Sequence, residues 1–289
     1  MSNLANGVLA MNVKTEIICI GNELLIGKTL NTNSYWLAKR ITDLGASVQR
    51  ITVVSDDVNE IAIALREALR RKPEFLITTG GLGPTFDDKT LEGIAKGLNR
   101  KLEVNDKALK MVRRKYETLL KEGRIDKIEL TPSRTKMATL PKNSKPLRNP
   151  VGTAPGMLAE AKQTCVIALP GVPPEMEAIF NESVATMIKK KAGKSAFFET
   201  SIYIEEIMES SLAPLIDRIM HANPLVYIKS HVYVKSMPQV EGRKSHIELH
   251  FSTTSKEPKT AKNVLDKAVK QLSELVQENG GKVTANEAA

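Results

Sequence analysis

The sequence predicts an α/β fold: a mostly parallel sheet covered by helices on both faces, followed by a smaller α+β domain. Three observations carry this. In the first half of the chain, short apolar runs (TEIICI, SVQRITVV, EFLITT) alternate with amphipathic segments of helical length. That is the pattern of strands buried on both faces and joined by crossover helices. Each run empties into a loop rich in glycine, asparagine or aspartate. Beyond residue 194 the pattern changes to the alternation of FFETSIYI and SHIELHFS, which suits antiparallel strands with one open face.

TEIICI is the first strand, and a polar loop leads from it to an amphipathic helix over 34–44. Gly45 closes that helix where a left-handed residue is wanted. SVQRITVV is the second strand, and Asp56 and Asp57 cap a helix running to Arg71. EFLITT runs into the glycines at 80, 81 and 83, and a helix is expected from about 87 to 98. A basic helix covers 105–122, and Pro173 and Pro174 suit the first turn of a helix reaching 190. In the last part, helices over 205–221 and 259–278 surround the strands LVYIKSHV and SHIELHFS. The organisation is therefore an N-terminal tail over 1–12, domains over 13–190 and 195–280, and a C-terminal tail over 281–289.

Composition bounds the function classes. With 42 % hydrophobic and 26 % charged residues in 289, the chain is too apolar for disorder and long enough for two ordinary domains. No apolar run approaches the roughly 18 residues of a membrane helix, and no signal peptide opens the chain, so a cytoplasmic location is expected. Cys19 and Cys165 sit in strand-like apolar runs, as small hydrophobes rather than as a zinc or disulfide framework. The net charge of +9 concentrates at 110–127 and 189–194. Only Tyr116 interleaves with those cations, which argues for solvated faces and against a nucleic-acid groove. His246 and His250 flank Glu248 on one strand face, where exposed alternation accounts for them without a metal.

The strongest local signal is LITTGGLGPTFDD, 76–88. A strand ends, three glycines in four positions make a tight turn, and a helix follows. Backbone amides there can approach a ligand closely, and phosphate is the usual guest at such a turn. A plain structural turn is the alternative. Asp87 and Asp88 either cap the following helix or, with a divalent cation, turn repulsion of a phosphate into attraction. GNELLIGKTLNTN also follows a strand directly, so Glu23 faces either a ligand or local amides. Asn31 and Asn33 either cap a helix or meet a sugar or base. NPVGTAPG and PGVPPEM put Gly152, Thr153, Pro170 and Gly171 at strand ends, where they can wall a pocket or simply turn the chain.

In this order and spacing, GNELLIGKTLNTN, VVSDD, TTGGLGPTFDD, GTAPG and PGVPPEM resemble the CinA-type molybdopterin-binding-like domain of the MoaB/Mog/MoeA superfamily. The resemblance covers 14–190, and the second domain resembles the small KH-like domain of CinA proteins. It implies a Rossmann-like three-layer α/β/α sandwich. In Mog-type relatives the aspartate matched by Asp88 acts with one matched by Asp56, using Mg²⁺ in molybdopterin chemistry. CinA-type domains are associated with metal- and potassium-dependent hydrolysis of the ADP-ribose pyrophosphate, and Leu82 with the GNELL loop places this chain on that side. The deamidase domain of full-length CinA proteins has no counterpart after 278, so nicotinamide-nucleotide amidase activity is not expected.

The resulting expectation is a metal-dependent pyrophosphatase. Gly80, Gly81 and Gly83, with Thr79 and Leu82, hold a phosphate. Asp88 with Asp56 or Asp87 holds Mg²⁺, Mn²⁺ or Co²⁺, and Glu23 orients water or completes the metal shell. Asn31 and Asn33 contact the sugar or base. The alternative is a molybdopterin- or nucleotide-binding protein or adenylyl transferase, with an RNA-binding module a weaker third reading. A homo-oligomer is expected, with no membrane partner.

Overall fold

A computed structural model describes residues 13–233 and 246–284. The N-terminal tail over 1–12, and the end of the C-terminal one, lie outside the described residues. The described residues divide into two compact units, one over 13–193 and the other over 194–233 and 246–284.

The first unit contains β1 (Lys14–Ile20), α1 (Asn22–Leu25), α2 (Thr32–Asp43), β2 (Ser47–Val54), α3 (Val58–Arg71), β3 (Phe75–Thr79) and α4 (Thr90–Gly97). These are followed by β4 (Leu102–Val104), α5 (Asp106–Lys121), α6 (Pro132–Lys136), β5 (Thr139–Pro141), β6 (Ser144–Leu147), β7 (Gly156–Ala161) and β8 (Thr164–Leu169). The unit closes with α7 (Pro173–Ile179) and α8 (Ala185–Ala192), joined through a π-helical turn over Phe180–Val184.

Six strands form one sheet in the order β2-β1-β3-β8-β7-β6. The first four are parallel, while β7 and β6 run antiparallel at one side. β1 shows why the sheet is buried on both faces. Ile18 and Ile20 join a core with Ile61, Leu65 and Ile94 of α3 and α4, whereas Ile17 and Cys19 join Leu37, Ile41 and Phe180 on the other side. The three-layer α/β/α architecture is as the strand–helix alternation predicts.

Local sequence sets the helices that frame this sheet. The Asp57 carboxylate accepts from the amides of Asn59 (2.7 Å) and Glu60 (3.0 Å), so it caps α3. Ile61, Ala64, Leu65 and Ala68 then form its buried stripe. At the far end Arg71 reaches back to Glu16 in a two-pronged bond of 2.8 and 2.7 Å. Glu16 is only 4 % exposed, so this pairing satisfies a carboxylate that burial would otherwise penalise. α4 begins at Thr90, not at 87 as expected, because Pro84 and the bonds among 85–88 hold that stretch as a turn.

The second unit is a four-stranded antiparallel sheet in the order β10-β11-β9-β12. Its elements are β9 (Ala196–Glu205), α9 (Glu209–Ala222), β10 (Tyr227–Tyr233), β11 (His246–Ser255), α10 (Pro258–Glu278) and β12 (Lys282–Thr284). Leu212 and Ile216 of α9 and Leu265 and Leu272 of α10 share a core with Ile204, Ile247, Leu249 and Phe251 of the strands. β12 corrects the expected tail, since Lys282–Thr284 pair with the edge of β9. His246 and His250 each take a separate carboxylate, Glu205 and Glu199, both at 2.9 Å. No helix among the described residues is long and apolar enough to cross a membrane.

One backbone approach fixes how β3 leaves the sheet. Gly80 has φ 114°, and a Cβ there would lie 2.1 Å from the Ile20 carbonyl oxygen. Neither the backbone conformation nor the contact admits a side chain. Gly80→Ala is expected to lower stability by about 2 kcal/mol or more, read as a shifted urea midpoint with an unchanged slope.

Candidate functional site

The four parallel strands end at one edge of the sheet, and the loops that follow them are tied together there. β1 lies between β2 and β3, so strand order reverses at this point, which is where open α/β sheets place ligands. The Gly21 amide donates to the Val54 carbonyl at 3.1 Å. The Asn22 amide donates to Asp56 Oδ2 at 2.8 Å, and the Asp56 amide donates back to Asn22 Oδ1 at 3.4 Å. Asp56 therefore locks the loop after β1 to the loop after β2.

A small hollow of about 110 Å³ opens between the ends of β1, β3 and β8. Glu23, Asn31, Asn33, Thr79, Gly80 and Gly171 all line it. Asn33 Nδ2 donates to Thr79 Oγ1 and to the Gly171 carbonyl, both at 2.9 Å. The Thr79 hydroxyl in turn donates to the Pro170 carbonyl at 2.9 Å. Both amide protons of Asn33 are thus spent, and its Oδ1 is buried without a partner. Asn31 accepts from the Ser34 amide at 3.2 Å and so caps α2 while it lines the hollow. Glu23 folds its carboxylate over Gly21, where a Cβ would meet it at 2.4 Å. Cys19 lies beneath, and burial raises its thiol pKa against the opposing pull of Asn31 and Ser34. It is a packing residue.

The glycine turn separates this hollow from a larger cleft of about 480 Å³. The Gly80 amide is committed to the Leu169 carbonyl at 3.1 Å, and Thr90 Oγ1 closes on the Gly80 carbonyl at 2.8 Å. Among the described residues no acceptor pairs with the amides of Gly81, Leu82 or Gly83. Of the amides expected to meet a phosphate, that of Gly80 is used by the sheet, while those of Gly81, Leu82 and Gly83 have no acceptor among the described residues. The Leu82 side chain, 3 % exposed, belongs to the core, so that residue offers only its backbone.

Asp87 and Asp88 do not cap α4, whose N-cap is Lys89 with no side-chain bond. They close a turn around Thr85 instead. Asp88 Oδ2 accepts from the Thr85 amide at 2.8 Å and from its hydroxyl at 2.6 Å, and the same hydroxyl reaches Asp87 Oδ1. Lys136, at the end of α6, donates to the Thr85 carbonyl. The Thr85 hydroxyl and then the Asp87 amide hold the Asp87 carboxyl below the ordinary carboxylate range; desolvation opposes them, and Lys136 adds the smallest pull in their favour.

The predicted residues thus fall on two sides of one turn instead of around a single rim. Glu23, Asn31, Asn33, Thr79, Gly80 and Gly171 share the small hollow, while Gly81, Leu82, Gly83 and Asp88 face the large cleft. No group of three or more histidine, cysteine, aspartate or glutamate residues suited to a metal forms among the described residues. Glu23, Asp56 and Asp88 accordingly do not make one metal cluster. Pro170 contributes only a carbonyl to the Thr79 hydroxyl. Gly152 and Thr153 line neither hollow. A Cβ on Gly152 would lie 1.9 Å from the Glu175 carboxylate, and Thr153 Oγ1 rests 3.9 Å from the Met137 sulfur. Lys136, Thr90 and Asn22 were not anticipated, because each meets its partner through tertiary approach and none carries a local signal.

The Asp87 geometry is testable by titration. In Thr85→Val the carboxyl loses its main hydrogen bond, and its NMR-monitored pKa should rise toward the ordinary value. A depressed pKa stabilises the fold above the unfolded-state pKa, and that contribution fades as pH falls through the folded-state value. The variant should therefore lose stability at neutral pH and not in strong acid.

Comparison with known proteins places this geometry. A protein of Sulfurisphaera tokodaii is 41 % identical over 269 residues, covering 93 % of this chain and 97 % of its own. A protein of Pyrobaculum aerophilum is 44 % identical over 261 residues, covering 90 % and 93 %. Among solved structures, the protein CinA of unknown function from Thermoplasma acidophilum matches with TM-score 0.55 and 42 % identity, over 61 % of this chain and 97 % of that one. The family model described as "Probable molybdopterin binding domain" matches residues 16–190, which take in both hollows and all of the sheet but the first two residues of β1. The chain belongs to the molybdopterin-binding domain family.

Proposed function

We propose that the first unit binds a small phosphorylated pterin or nucleotide, with its phosphate on the turn after β3. The observation that carries this reading is the run of three unpaired amides at Gly81, Leu82 and Gly83, at the carboxyl end of a strand beside the switch point. Successive backbone amides in a turn form an anion-binding concavity. Leaving three of them without acceptors would be costly unless solvent or a ligand supplies the acceptor. Membership of the molybdopterin-binding family supports a pterin phosphate as the ligand class. A Cβ on Gly83 would lie 2.6 Å from Asp88 Oδ2, so Gly83→Ala crowds the turn by pressing that carboxylate away from the Thr85 amide and hydroxyl it accepts from. Calorimetry with molybdopterin, ADP and inorganic pyrophosphate should find at least one ligand. Gly83→Ala should weaken it about tenfold, the equivalent of one charge-assisted hydrogen bond. If the wild-type protein binds none of the three, or if Gly83→Ala binds like wild type, the reading fails.

A second reading is favoured by the turn around Thr85. Two carboxylates, Asp87 and Asp88, converge on one hydroxyl beside the cleft, and Mg²⁺ is commonly held by one or two carboxylates plus substrate phosphates. In that reading Asp87 and Asp88 are the protein's ligands to a divalent ion, which supplies charge neutralisation at a pyrophosphate. ADP-ribose turnover to AMP with Mg²⁺, Mn²⁺ or Co²⁺ should then fall at least a hundredfold in Asp88→Asn, a loss of about 2.7 kcal/mol of transition-state stabilisation. Equal turnover in the two proteins sinks it.

A further inference from the structure

We propose that the ligand's ring lies in the large cleft beyond the glycine turn, and that Lys136 is the residue that makes the site select phosphorylated ligands. This rests on the binding reading above and adds the side of the turn, the ring's seat and the counter-charge.

Size separates the two hollows. The small one holds about 110 Å³ and the cleft about 480 Å³, and small-molecule sites are generally about 300–1,000 Å³. A bicyclic ring with a sugar or side chain fits only the second. The cleft's composition suits such a ring. Leu91, Leu102, Leu130 and Pro132 offer apolar faces, while Glu92 and Thr139 provide a polar edge. Gly81, Leu82 and Gly83 stand along one wall, so a phosphate held by their unpaired amides has this space beside it for its substituent.

Lys136 supplies what the amides lack. Its ammonium is fixed to a neutral partner, the Thr85 carbonyl, and it has no carboxylate within ion-pair distance among the described residues. Its charge is nevertheless the smallest of the pulls that keep the Asp87 carboxyl ionised. A cation that lines the cleft beside three free amides, and is positioned by a carbonyl instead of neutralised by an acid, can meet an incoming phosphate without first breaking a salt bridge. It also offsets the repulsion that Asp87 and Asp88 would exert on that phosphate. Lys136 arrives from α6, outside the strand-end loops, so the cleft exists only where that segment faces the turn.

The test compares each phosphorylated ligand with its unphosphorylated parent. Calorimetry would use ADP with adenosine, a 6-hydroxymethylpterin diphosphate with its parent pterin, and inorganic pyrophosphate alone. Lys136→Ala should weaken the phosphorylated members about tenfold and leave the parents unchanged, while Lys136→Arg restores most of the loss. Leu130→Asp, which changes a wall that is 36 % exposed, should weaken ring-bearing ligands about tenfold and leave pyrophosphate unaffected. The proposal is overturned if Lys136→Ala binds the diphosphates like wild type, or weakens diphosphates and parents equally as a mere loss of the Thr85 contact would. It is also overturned if wild type binds pyrophosphate but neither ring-bearing diphosphate. Diphosphate binding that is lost in Gly83→Ala yet untouched by both cleft variants would leave the binding reading standing and remove this one. No binding of any phosphorylated probe to wild type removes both.

Discussion

The backbone of β3 leaves the sheet almost touching the carbonyl of Ile20, and everything at the ligand edge depends on that approach. With φ 114° at Gly80, the chain turns away while its amide still bonds Leu169 and its carbonyl takes the Thr90 hydroxyl. The first residue of the turn is thereby consumed by structure, and the amides of the next three have no acceptor among the described residues. A side chain at Gly80 would push β3 from β1 and misalign the Asn33–Thr79–Pro170 relay on one flank and the start of α4 on the other. The turn is a partition, because the hollow and the cleft lie on its two sides.

Around this partition the loops have different jobs, although they look alike in sequence. Asp56 and Asp88 both follow strands, yet Asp56 is bound to the Asn22 amide and braces two loops, whereas Asp88 folds around Thr85. Asn31 ends as a helix cap, while Asn33 donates one amide proton to the last residue of β3 and the other to the loop after β8, and retains an acceptor with no partner. Residue type at a strand end restricts the possible chemistry; the neighbour that arrives from elsewhere decides which possibility is realised.

That distinction explains what was legible in the sequence. The parallel sheet was readable because Ile17, Ile18, Cys19 and Ile20 are apolar in succession and must be buried on both faces. The cap at Asp57 was readable because carboxylate and free amides lie two and three residues apart. The residues lining the small hollow were readable for the same reason, since their loops follow strands directly. The start of α4 was not, because the stretch from Pro84 to Asp88 satisfies its own polar groups and has no need of helix. The cleft was hidden too: Lys136 lies 51 residues from Thr85 in sequence. β12 was missed because three residues in a polar tail form a strand only when an edge such as that of β9 is open to them.

The π-helical turn over Phe180–Val184 has a geometric consequence of its own. An α-helix advances about 100° per residue, so one surplus residue in a turn rotates everything after it by that angle. Met176 and Ile179 before the bulge, and Ala185 and Ile188 after it, still face the same core as Phe180 and Val184 within it. A regular helix could not bury both sets along one straight stripe. The widened turn is thus a phase corrector, letting a helix that starts at the ligand edge with Pro173 stay in contact with the sheet along its whole descent.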